Sequence, residues 1–152
     1  MAHDEERRAH WGEAGLTLIE VTLVVIIIGV LLALAVPTFM GTQHRAADIA
    51  AKSRARLGLT TQKVFFTDHG SWGQAPDIQP EEPSVTFDNL GLSGPQVLGV
   101  VYVKVDGDTA TLVSRSSTGT CYWVREPAHG ATTYASTPCT DTPADADFHS
   151  SW

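Results

Sequence analysis

Basic charge is scarce in this chain: ten Lys and Arg stand against seventeen Asp and Glu, a formal net charge of −7 over 152 residues. A balance that acidic argues against a nucleic-acid-binding body. Cysteine is scarcer still, with Cys121 and Cys139 alone. No further cysteine or ligand-spaced histidine accompanies them, so neither a metal site nor a cofactor is expected. Ser, His and Asp all occur, but in no arrangement that would activate a nucleophile or supply an oxyanion donor. Catalysis is therefore not expected. The absence with the largest consequence is local: no charged side chain lies between Glu20 and Arg45.

Spanning most of that gap, the residues from Leu16 to Met40 are mostly Val, Ile, Leu and Ala. At a rise of about 1.5 Å per residue they are long enough to cross a hydrocarbon core of roughly 30 Å as a helix. The run is apolar on all sides rather than striped, as for a helix facing lipid or copies of itself. Glu20 breaks the pattern, since a carboxylate in such a segment costs roughly 2.5 to 3.5 kcal/mol on insertion scales and normally has a partner. While residue 15 is still bonded to residue 16, no nearby cation can supply one. A cut after Gly15 would leave an ammonium at Leu16, and that charge on one copy could neutralise Glu20 of another. An ordinary secretory signal is the competing interpretation, with Arg7 and Arg8 as its charged region and cleavage after Ala35. It would release a secreted, disulfide-bonded binding module beginning at Val36. Against it stand an apolar stretch longer than such signals use and an acid inside it.

Gly15, then Leu16-Thr17-Leu18-Ile19-Glu20, then the unbroken run to Ala35-Val36-Pro37, resembles the N-terminal signature of type IV prepilins and pseudopilins. The resemblance implies cleavage between Gly15 and Leu16 by a prepilin peptidase, N-methylation of Leu16, and an assembly role for Glu20 toward the neighbouring subunit's terminus. Leu16 stands where that family usually has phenylalanine. The resemblance further implies a helical homo-oligomeric filament, built at the cytoplasmic membrane by an assembly platform and an ATPase, with no direct nucleic-acid contact. The precursor would be single-pass with its N-terminus inside, and the assembled subunit extracellular. A pseudopilin of a type II secretion or DNA-uptake apparatus would share all these features. An exported enzyme on a lone anchor is the remaining alternative.

Four segments are expected: a leader at 1–15, a membrane or filament-core helix at 16–40, its amphipathic continuation at 41–66, and an extracytoplasmic head at 67–152. Without the leader the chain has eight cations and thirteen acids, a net −5. Arg45, Lys52, Arg54 and Arg56 follow the apolar run, and charge counting alone would place that side in the cytoplasm. The two cysteines, which favour a disulfide on an oxidising side, and the family orientation place it outside. Gly29 and Pro37 are expected to interrupt the helix, by loosening it and by removing a backbone donor.

Beyond Pro37, Ala46, Ala50, Ser53, Leu57 and Val64 form a stripe expected to pack on the head. Arg45, Lys52, Arg56 and Lys63 form a second stripe, expected to be solvated. The helix is expected to end near Phe66, with Gly70 as its stop and Phe65, Phe66 and Trp72 as anchors; Asp68 and His69 make a turn pair. A long connection follows, with a short strand at Ser84 to Phe87. Three strands, at 97–105, 109–115 and 120–125, form an antiparallel meander covered by the helix. The fold class is thus α+β, a long N-terminal helix on a small antiparallel sheet. A polar tail ends the chain, tied back by a Cys121 to Cys139 bridge as in the C-terminal region of many pilins. Asp141, Asp145 and Asp147 match no calcium motif and are expected to be solvated.

Overall fold

A computed structural model describes residues 16–91, 94, 95 and 97–152, the side chains of 36–38 excepted. The chain divides into two compact units between Met40 and Gly41. A 52-residue helix, α1 (Leu18–His69), contributes to both. It starts two residues later than expected because Thr17 caps it: the Glu20 amide donates to Thr17 Oγ1 at 3.2 Å and to the Thr17 carbonyl at 3.1 Å. It ends three residues later than expected, where Gly70 takes φ +70° and donates to the Phe66 carbonyl at 2.8 Å.

In the second unit a short helix, α2 (Ala75–Ile78), precedes β1 (Thr86–Asn89), β2 (Val100–Asp106), β3 (Thr109–Arg115), β4 (Thr120–Pro127) and β5 (Thr133–Pro138). The sheet order is β1-β2-β3-β4-β5, with β1 parallel to β2 and every other pairing antiparallel. The meander β2-β3-β4 lies where the sequence places it. The sheet is nonetheless five-stranded, extended by β1 at one edge and by β5 at the other. β5 runs Thr-Tyr-Ala-Ser-Thr-Pro, which carries too little apolar alternation to stand out from the polar tail around it.

Alternation along the strands sends Val101, Val103, Ala110, Leu112 and Val124 to one face, where they pack with Ala55 and Leu59 of α1, Ile78 and Phe87. Tyr102, Val113, Cys121, Trp123 and Ala135 take the other face, covered by Leu90, Cys139 and Phe148. The sheet is therefore buried on both sides, by helix on one and by connecting segment and tail on the other.

Two expectations about α1 need correcting. Ala46, Ala50, Ser53, Leu57 and Val64 are all exposed, and the buried positions are Ala51, Ala55, Gly58, Leu59, Thr61 and Gln62. The helix is turned by about one residue because closeness, and not apolar bulk, decides its contact. A Cβ on Gly58 would lie 2.9 Å from both Leu112 Cδ2 and Val101 Cγ1. The basic stripe is likewise not simply solvated. Lys52 Nζ lies 5.0 Å from the Tyr122 ring centre, Arg56 Cζ lies 4.9 Å from that of Trp152, and Lys63 Nζ is 3.0 Å from Glu126 Oε1.

The tail also does more than float. Asp145, in a 3-10 turn at Asp145–Asp147, pairs with Arg125 at 2.6 Å; His149 bridges to Tyr134, and the Trp152 indole donates to the Ala135 carbonyl at 2.9 Å.

Candidate assembly segment

Leu16 precedes the first turn of α1, and every side chain from Leu16 to Ala35 is exposed. Leu18 is 83% exposed, Ile19 77% and Leu34 71%. Apolar surface exposed around a whole helix is a surface without its solvent, because water is the worst environment for it. Among the described residues, α1 alone is long and apolar enough to cross a membrane. Glu20 sits in the first turn of this helix, where a carboxylate suits the positive end of the backbone dipole. Its amide is held by Thr17. Thr22 Oγ1 donates to the Ile19 carbonyl at 2.8 Å, which satisfies the hydroxyl within the helix. α1 runs through both Gly29 and Pro37 without a break in assignment. A Cβ on Gly29 would meet nothing within 4 Å. Gly15 lies outside the described residues.

In the second unit, two polar locks hold α1, one to the β3-β4 turn and one to the segment that follows the helix, and neither was visible in the sequence. At Asp48, Ser116 Oγ and Thr118 Oγ1 each donate to the carboxylate at 2.7 Å. These hydrogen bonds, Thr118 first and Ser116 next, hold the Asp48 carboxyl below the ordinary carboxylate range, with smaller help from Tyr122 and Lys52. Burial, reinforced by the Asp48 charge, pushes the Tyr122 phenol up. About four turns further on, the buried Gln62 amide donates to the Gly73 carbonyl at 2.6 Å and accepts the Gly73 amide at 3.1 Å. A single side chain thus satisfies both backbone groups of a buried glycine just beyond the helix. Local sequence gives no warning of such partners, since Asp48 and Ser116 are 68 residues apart.

Cys121 and Cys139 form a disulfide across 18 residues, and Cys121 is fully buried. The carboxylates of the tail form no metal-competent group among the described residues. Leu16, Glu20, Gly29 and Pro37 belong to the exposed apolar unit, and the disulfide to the head.

No family model matches the chain. No solved structure matches it. Among curated proteins, the type IV major pilin protein PilA of Myxococcus xanthus (strain DK1622) is 44% identical over 54 residues, 36% of this chain. The match spans about a quarter of the relative's length, at 24%. Over that stretch this chain is similar to a type IV major pilin, and its fold is α+β, led by a long apolar helix.

Proposed function

We propose that the chain is a structural subunit of a type IV pilus and not an enzyme. In this account a prepilin peptidase cuts between Gly15 and Leu16, and Leu16 is N-methylated. The subunit then waits in the cytoplasmic membrane, N-terminus in, until an assembly platform and its ATPase draw it into an extracellular helical filament of identical copies. Methylation leaves the amine basic, so the terminal cation survives it. Gly29 and Pro37 would let the filament-core helix loosen, since position 37 offers no amide hydrogen to the carbonyl four residues back. The relative's description as a major pilin supports the pilus over a secretion pseudopilus.

One observation carries the proposal: the apolar surface of Leu16 to Ala35 is exposed around its whole circumference, with an acid at its head. Only lipid or other such helices would cover it. In either setting Glu20 needs a cation, and the terminal amine of a neighbouring copy supplies one at a fixed axial offset. The test is Glu20→Leu. It should leave membrane insertion and cleavage intact while surface filaments disappear, and normal filaments from that variant would refute the pairing. Mass spectrometry of purified fibres should find methylated Leu16 at the terminus. A terminus at Val36 would refute the peptidase step and establish the secretory alternative.

A further inference from the structure

The far end of α1 carries a feature outside the proposed assembly segment. A cleft of about 200 Å³ opens there, lined by Phe66, Gly70, Ser71, Trp72, Asp108 and His129, with Gly107 and Ala128 at its margins. Three elements build it: the exit of α1, the β2-β3 turn and the segment after β4. Its aromatic wall is rigid, because the Phe66 and Trp72 rings pack 4.3 Å apart and the Trp72 indole donates to the Asp108 carbonyl at 2.9 Å. That hydrogen bond occupies the backbone of Asp108 and leaves its side chain exposed on the rim.

We propose that this cleft binds an alkylammonium cation. Charge selects the ligand class. The C-terminal end of a helix carries a partial negative charge. Asp108 lines the cleft from the β2-β3 turn with its side chain exposed, and Asp68 lies in the last turn of α1. Lys104 is 3.7 Å from Asp106 and is not among the residues that line the cleft. Aromatic faces attract cations through their quadrupole, and a carboxylate beside them adds Coulomb attraction. An anion would meet repulsion, and a neutral apolar group would forgo both attractions. Glycines at 70 and 107, with φ +70° and +55°, form two corners of the cleft without side chains, which leaves room for a substituted nitrogen.

The experiment uses the full chain, 15N-labelled, in maltoside micelles at about pH 8, where an ordinary imidazole is neutral. The indole N–H resonance of Trp72, assigned with Trp72→Phe, is followed during titration with tetramethylammonium, Nα-acetyl-lysine amide, and 3,3-dimethylbutanol as a neutral isostere. A saturable shift with either cation, at least about tenfold weaker with the isostere, is expected. Asp108→Asn, which keeps the backbone acceptor of the Trp72 indole, should weaken cation binding about five- to tenfold with the remaining spectrum unchanged. Tighter binding of the lysine amide would assign the site to a protein side chain; tighter binding of tetramethylammonium would assign it to a small quaternary ligand. Equal response to the isostere, full affinity in Asp108→Asn, or no saturable shift at about 50 mM cation would overturn the proposal.

Discussion

Gly58 shows what a single missing carbon decides. A methyl group there would press on two branched side chains, Leu112 and Val101, each at 2.9 Å, and on Phe87 at 3.3 Å. Alanine is the better helix former by about 1 kcal/mol. Overpacking a well-filled core costs about 1 to 3 kcal/mol, so the clash outweighs the propensity. Gly58→Ala should therefore lower the head's unfolding free energy by about 1 kcal/mol, a mid-range overpacking cost of about 2 less the propensity gain of about 1, in denaturant titration. A more stable variant would show that α1 and the sheet have slack between them. Gln62 makes a parallel case with polar atoms. Gln62→Leu keeps the bulk but strands the buried amide and carbonyl of Gly73, and a loss of about 1 to 3 kcal/mol is expected in the same titration. A loss below about 0.5 kcal/mol would mean that water reaches Gly73 instead.

At the scale of elements, the junction between α1 and the β3-β4 turn depends on a charge. Asp48 titrates lower in the fold than in the unfolded chain, where its ordinary value is 3.8. Its contribution is thus complete above that value and is lost as pH falls through the lower, folded one. Tyr122 is displaced the other way from 10.0, so its contribution is complete below that value and fades as pH rises through the folded one. Melting temperatures should fall at both ends of the pH range. Asp48→Asn should flatten the acid limb and cost about 1 kcal/mol near neutrality, while Tyr122→Phe should flatten the alkaline limb. An unchanged acid limb in Asp48→Asn would assign acid sensitivity to other carboxylates. These junctions also mark where sequence stops being legible. The helix itself could be read because its signal is repeated over fifty residues, and β2-β3-β4 because valine alternation and Asp106-Gly107 are local. The buried face of α1 could not be read. It is chosen by the sheet's proximity at Gly58, whereas the sequence advertises the bulkier Leu57 and Val64. β5 escaped because pairing with β4 and cover from the tail, not its own Thr and Ser, make it a strand.

Across the whole molecule the two units are expected to respond to different substitutions, and that difference tests the proposed assembly role apart from folding. The head closes both faces of its sheet only if the tail stays in place, and the disulfide holds the tail at Cys139 beside Cys121. Closing a loop of that size contributes roughly 3 kcal/mol in the chain-entropy model, a large part of the stability of a head this small. The Cys121→Ala, Cys139→Ala double variant should lose about 2 to 4 kcal/mol, and hydrogen exchange should accelerate first in β5 and in 139–152. The disulfide and the residues packed around it all lie in the head, so membrane insertion of the cysteine variant is expected to be unchanged. Glu20→Leu inverts the pattern, with the head melting as in the parent while filaments are absent. If instead the cysteine variant failed to insert, or Glu20→Leu lowered the head's melting temperature, the units would be coupled. The lone acid would then serve folding of the subunit and not its pairing with the next copy.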